Sequence, residues 1–275
     1  MAAATAVPAL AMSFWRNGLG ALAVLPFALV SGRAELAALS RRQLRLGLLA
    51  GAMLAAHFGT WVSSLRLTSV ASATALVSLQ VAWVVVLTRL LGQPVVRRVW
   101  LGLVLALSGV IVISGVDFSV STEALTGDAL AFAGAFFAAV YTMVGGRVRE
   151  ELSTTTYTFV CYSTSALLLL ACCVVGRLQV VGYDAKSWLL IVGVTVSAQL
   201  LGHTVFNHLL ATISPTIVSM ALLLEVPGAA LLAAVFLSQA PPTAVYAGLA
   251  LIVAGLAIVV GARSVSSAPR EAPVD

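Results

Sequence analysis

The sequence predicts an all-α polytopic membrane protein, with nine transmembrane helices in two inverted repeats of four plus five. Three observations carry that prediction. Hydrophobic residues make up 61% of the 275 residues and charged residues only 9%, a mix that could not cover a soluble domain with water-facing groups. The apolar stretches run close to the ~20 residues that a helix needs to cross ~30 Å of hydrocarbon. The chain also falls into register with itself at an offset of 146. Gly47, Ala52, Leu54, His57, Gln93, Gly102, Leu103, Leu105, Gly109 and Gly115 land on Gly193, Ala198, Leu200, His203, Gln239, Gly248, Leu249, Leu251, Gly255 and Gly261 without a gap. Such a duplicated membrane unit is most often found in transporters.

Taken in order, the spans fall at about 8–30, 44–64, 68–91, 97–116, 127–146, 155–176, 187–209, 215–238 and 242–262. Each must be helical, because an open strand in lipid leaves backbone amides unpaired, and the runs are too long and too little alternating for barrel strands. The first repeat occupies 1–117 and lacks its N-terminal part; the second occupies 127–262. The longest connections, 31–43 and 117–126, are about a dozen residues each, and 263–275 reads as a disordered tail. No connection is long enough for a soluble catalytic domain.

Arginine placement sets the orientation, since basic residues stay on the cytoplasmic side of short loops. Arg33, Arg41, Arg42 and Arg45 follow the first span, Arg89, Arg97 and Arg98 the third, Arg147 and Arg149 the fifth, and Arg263 and Arg270 the last. The opposite loops hold only Arg66, Arg177 and Lys186, with Asp117, Glu123 and Asp128. The C-terminus is therefore expected inside and the N-terminus outside. Equivalent helices lie five spans apart, and an odd separation reverses their direction, so the halves are inverted. In agreement, Arg97 and Arg98 correspond to the uncharged Thr243 and Ala244. Met1–Val7 has no basic region of a signal peptide. Two units of five call for ten helices, so one more is expected upstream of Met1.

Several segments carry a resemblance to a known family. The first helix contains MSFWRNGLGALAVLPF, followed by LRLTSVASATALVSLQ and WLGLVLALSGVIVISG; the second half has ATISPTIVSMALLLEVPGAALLAAVFL and YAGLALIVAGLAIVVG. Over nearly its whole length the chain resembles the drug/metabolite transporter superfamily and, within it, the EamA-type permeases. The resemblance implies ten helices in two inverted EamA repeats and a substrate cavity between the halves near mid-membrane. It also implies small metabolites such as amino acids as cargo. The chain departs from the pattern at three places. The first helix is absent. The usual Gly-Glu at the end of each repeat's fourth helix is Gly92-Gln93 and Ser238-Gln239. The Glu directly before Pro in the ninth helix becomes Glu225-Val226-Pro227.

Polar groups inside spans are costly in lipid and mark functional candidates. Arg16 lies well inside the first span, where it either lines the cavity, attracting a carboxylate or pairing with an acid, or makes a structural contact with backbone carbonyls. Glu225 is the only acid deep in a span, and a desolvated carboxyl there suits proton coupling or, alternatively, a fixed structural contact. Pro227 obstructs the carbonyl of Leu223 and makes a bendable point beside it. The repeat-related His57 and His203 are expected at opposite depths, unable to share a metal, each either a proton relay or an interhelical hydrogen bonder. Asn207 and His208 extend a polar stripe from His203, while Gln80, Gln199 and Asn17 are further candidates for the cavity lining.

The glycines spaced along the fourth and ninth spans read as helix-packing positions. Trp15, Trp61, Trp100 and Trp188 suit span ends, with Trp15 also a candidate for the cavity, and Cys161, Cys172 and Cys173 suit packing. No phosphate loop, zinc motif or GxSxG occurs, so neither cofactor nor metal is expected. The net charge of +5 comes from the loop arginines and does not point to nucleic acid. Fourteen arginines against one lysine fit a high-GC bacterial source and its cytoplasmic membrane. The expected function is export of small metabolites by alternating access, with protons as coupling ion; a homodimer is left open. Two rivals remain: a membrane enzyme acting on a lipid or peptide through His203, His208 and Glu225, and an inactive or partner-completed scaffold.

Overall fold

The computed structural model describes residues 7–114, 121–228 and 243–261, and these form helices without a strand. In chain order they are α1 (Ala9–Val30), α2 (Arg33–Ala37), α3 (Arg41–Ser64), α4 (Val70–Val77), α5 (Gln80–Leu90), α6 (Arg97–Ser114), α7 (Thr122–Val148), α8 (Thr154–Val175), α9 (Ala185–Val194), a π-helical stretch (Thr195–Thr204), α10 (Val205–Leu209), α11 (Pro215–Leu222) and α12 (Thr243–Gly261). Seven spans among the described residues are long and apolar enough to cross a membrane. They match expected spans; α6 and the shorter Pro215–Gly228 fall where the other two were placed. A count of nine is therefore not established. The second half of the span 215–238, Gly115, Ser238, Gln239 and the tail 263–275 lie outside the described residues.

Helix starts follow from local chemistry. Ser40, Ser69, Ser121, Ser153, Asp184 and Ser214 each precede a helix and accept a hydrogen bond from the amide three residues on. This satisfies one of the orphan N–H groups that would otherwise be stranded near lipid. At Ser40 the Gln43 side chain reaches back to complete a capping box.

The inversion is visible where α6 meets α12. A Cβ on Gly102 would sit 2.6 Å from the Gly255 carbonyl oxygen, and one on Gly109 would sit 2.5 Å from that of Gly248. The offset of 146 pairs Gly102 with Gly248 and Gly109 with Gly255, so the two contacts exchange under the repeat, as an antiparallel pair about a local two-fold axis requires. The glycines thus serve assembly within the chain. The same geometry brings the end of α12 to the face where α6 begins with Arg97 and Arg98.

Two large apolar cores result, with a smaller third where α1, α8 and α9 meet through Met12, Cys173 and Ile191. One joins α1, α3, α7 and α8 through Leu54, Phe58, Tyr141, Tyr157 and Tyr162. The other joins α5, α6, α11 and α12 through Val81, Leu103, Met220, Leu223 and Ile252. Both spans that run between the cores are broken near their middle, at Ser78–Leu79 and at Leu223–Leu224. Pro227 accounts for the second break, through the carbonyl of Leu223. The first has no proline; there the ladder tightens to i→i−3 bonds, Leu79 N–H to the Leu76 carbonyl at 3.1 Å and Val81 N–H to the Ser78 carbonyl at 3.3 Å. A break without proline was not legible in the pattern.

On the arginine-rich face, the Glu35 carboxylate accepts from the Ser153 amide at 2.8 Å and from its hydroxyl. Arg42 pairs with Glu151, which also accepts from Gln43 Nε2 at 3.0 Å. These two donors hold the Glu151 carboxyl below its ordinary range, so the tie is complete above that range and is lost as pH falls through the lowered value. Being exposed, it contributes little stability. On the opposite face, Trp15 Nε1 donates to the Val180 carbonyl at 2.6 Å and Thr68 to Asp128 at 2.7 Å.

Gly109→Leu is expected to lower the thermal midpoint in detergent, through overpacking of about 1–3 kcal/mol, because carbonyl backbone rather than a yielding side chain faces the position. An unshifted melt would show that α6 and α12 do not pack this closely.

Candidate functional site

Two polar groups meet between the cores. The first is built around Arg16, 5% exposed although it sits inside a span. Its Nε donates to Gln199 Oε1 at 2.9 Å, and Gln199 Nε2 donates to Asn17 Oδ1 at 3.1 Å. The guanidinium carbon stands 4.0 Å from the centroid of the Phe58 ring, a cation–π contact. The terminal amino groups of Arg16 make no hydrogen bond among the described residues. Gly20 makes the approach between α1 and the π-helical stretch: a Cβ there would lie 3.0 Å from Gln199 Cγ and 3.2 Å from the Tyr162 ring.

The π-helical stretch positions Gln199. Its repeat counterpart, residues 49–58, is ordinary α-helix inside α3, whereas Thr195–Thr204 takes the wider i→i+5 form that is rare and recurs at functional sites. Thr204 Oγ1 reaches the Gln199 carbonyl five residues back at 3.2 Å, and Tyr162 OH donates to the same oxygen at 3.2 Å. With its carbonyl held twice, Gln199 presents its amide to Arg16 and Asn17.

The second group surrounds a cavity of about 20 Å³, room for roughly one water, whose lining includes His57, Gln80, Tyr141, Thr142, His203 and Asn207. Gln80 Nε2 donates to Thr142 Oγ1 at 3.2 Å. Tyr141 donates to Asn207 Oδ1, and Asn207 Nδ2 donates to Thr158 Oγ1 at 3.3 Å. His57 Nδ1 lies 2.9 Å from the Gly134 carbonyl, so that nitrogen carries the proton. Phe58 joins the two groups, with Arg16 on its face and the His203 ring at its edge, 5.2 Å between centroids.

Several expectations change. His57 and His203, though set toward opposite faces, both contribute to the lining of one cavity. Each lies six or seven residues from the end of its span, about 10 Å from opposite faces at 1.5 Å per residue, which leaves only about 10 Å between them. Gln80 and Asn207 line the same cavity, while Arg16, Asn17 and Gln199 sit beyond Phe58. His208 leaves the stripe: it is exposed and lies 3.0 Å from Thr154 Oγ1. The set of His203, His208 and Glu225 is thus not assembled around the cavity. Glu225 opens the helical turn after the break, and its side chain is exposed to open space rather than packed, although protein surrounds it at longer range. It interacts electrostatically with Arg16 without a hydrogen bond between them.

Trp15 packs against Trp188 near the face opposite the arginines, outside the cavity, and Trp61 stacks on His57 with centroids 5.8 Å apart. No group of three metal-ligating side chains occurs among the described residues. Sequence reasoning missed Phe58, Tyr141, Thr142, Tyr162 and Thr204. The tyrosines did carry a signal, being mid-span rather than in the interfacial belts where such rings collect.

The model of the EamA-like transporter family matches residues 2–115 and 125–261, one match per repeat. The chain belongs to the EamA-like transporter family. It is accordingly a multi-pass membrane protein of a family that transports small molecules. No curated protein matches it. Several solved structures are similar in fold; one, a crystal structure, has a TM-score of 0.79 over 95% of this chain and 91% of its own, at 21% identity.

Gln199→Leu is expected to destabilise the EamA-like protein by about 1–3 kcal/mol, because it leaves Arg16 Nε buried without an acceptor. Thermal unfolding in detergent reads the loss, and a Gln199→Glu variant that retains the acceptor should recover most of it.

Proposed function

We propose that the chain is a carrier of a bacterial cytoplasmic membrane, with its C-terminus inside, that exports small carboxylate-bearing metabolites, amino acids among them, by alternating access. The observation that carries this reading is Arg16: a buried guanidinium fixed through Nε and through its face, with both terminal amino groups left over. A planar fork held in this way suits bidentate recognition of a carboxylate. Glu225, close enough to interact with Arg16 and facing open space, is the proton site in this reading. Two separate cores joined by spans broken at Ser78–Leu79 and Leu223–Leu224 support the alternation, since inverted repeats can exchange inner and outer conformations around a shared site.

In proteoliposomes, Arg16→Gln is expected to raise the half-saturation concentration for amino acid cargo roughly 10- to 100-fold, the loss of a charge-assisted pair. An unchanged value would make the arginine purely structural. Glu225→Gln is expected to abolish accumulation driven by a pH gradient while leaving exchange of labelled for unlabelled cargo. Accumulation that persists in that variant would remove the proton role.

A further inference from the structure

Arg41 and Arg45 open α3 on the side turned away from the bundle. The helix buries Gly47, Gly51, Leu54 and Phe58, and a Cβ on Gly47 would already meet Val160 of α8 at 3.0 Å. At about 3.6 residues per turn the opposite side carries Arg41, Arg45, Leu48, Leu49 and Ala52. Both arginines are exposed, and Leu48 and Leu49 are 43% and 42% exposed. In a bilayer this side meets lipid, with the guanidiniums at headgroup depth and the leucines one turn deeper.

Neither arginine makes an ion pair or a hydrogen bond among the described residues, whereas Arg42 between them is tied to Glu151. Glu35 is likewise held, by Ser153. The pair also stands at the unfavourable end of its helix. No acid occupies the first turn of α3, and the positive end of the helix dipole repels cations and attracts anions. The basic bias of this face accounts for arginines in its loops. It does not account for two of them one turn apart on the lipid side of a helix start. Their counterparts under the shift of 146, Ser187 and Ile191, are buried, so the duplicated unit does not impose the arrangement either. An anion lying across both guanidiniums resolves the conflict.

We infer that the outer side of α3 is a binding site for an anionic phospholipid with two phosphates, a diphosphatidylglycerol, in the leaflet on the arginine-rich side. Each planar fork takes one phosphate bidentately. The forks start about 6 Å apart along the axis, four residues at ~1.5 Å each, so one headgroup reaches both. Once the first phosphate is bound, the second is held at high effective concentration, an advantage that a lipid with a single phosphate lacks. The acyl chains lie along Leu48, Leu49 and Ala52, apolar surface that free phosphate would leave unused. Basic clusters at the membrane end of a helix recognise such headgroups. The site is separate from Arg16 and does not rest on the carrier reading.

Thermal unfolding of the full chain in an uncharged detergent tests it, with diphosphatidylglycerol, phosphatidylglycerol, phosphatidylcholine or inorganic phosphate titrated in. Diphosphatidylglycerol should raise the midpoint saturably, with a half-saturating concentration at least ~10-fold below that of phosphatidylglycerol. Arg41→Gln with Arg45→Gln should raise that concentration by ~10-fold or more, the loss of charge-assisted bonds, and leave the lipid-free melt unchanged because both side chains are exposed. Arg97→Gln with Arg98→Gln, which removes the same charge from the same face at the start of α6, should leave the response intact. Equal weakening by the two double variants would reduce the effect to general surface charge and overturn the site. Equal potency of the one-phosphate and two-phosphate lipids would overturn the paired forks, and equal potency of inorganic phosphate would overturn the lipid.

Discussion

A guanidinium held inside an apolar bundle constrains everything around it. Leaving Arg16 unpaired in lipid would cost several kcal/mol, so neighbouring elements are shaped to receive it. Gly20 thins α1 where the π-helical stretch approaches, Gln199 turns its amide oxygen to Nε, and the Phe58 ring takes the cation on its face. Asn17 and Tyr162 hold Gln199 in turn. A longer side chain at position 20, or a regular α-helix through 199, would disturb the approach and the register of that set.

The π-helical stretch is where the two repeats differ most in conformation. Residues aligned without a gap in sequence build an α-helix in one half and a wider helix in the other. The extra width lets Thr204 reach the carbonyl of Gln199 five residues back. Its counterpart Phe58 fills core instead and serves both Arg16 and His203. An ancestral symmetry is thus retained in the framework, as in the crossed glycines of α6 and α12, and abandoned in the site.

Each apolar core is continuous within itself, and the spans that run between the cores lose helical continuity near mid-membrane. Lipid tolerates such a break only where protein or a cavity satisfies the freed backbone groups, and both breaks flank the region where the polar side chains gather. Pro227 makes one of them obligatory through Leu223. The other, without proline, is a turn of i→i−3 bonds at Ser78–Leu79.

Hydrophobic run length and the 146-residue register were enough to predict the seven membrane-length apolar helices among the described residues and the inversion of the halves, because these follow from the bilayer and from duplication rather than from any contact. Arg16, Gln199 and His203 were legible as candidates because polar groups are conspicuous in apolar text. Their arrangement was not. That His57 and His203 share a cavity, that His208 turns away, and that Phe58 joins two polar groups depend on tilt and on a π-helical register that no residue type encodes. Phe58, Thr142 and Thr204 read as ordinary span residues until a neighbour from another helix gives them a partner. Sequence by itself determined which segments are long and apolar enough to enter the membrane, since partition into lipid is a property of each segment. Tertiary structure alone decided which polar groups meet, since that depends on the relative rotation of helices that lie far apart in the chain.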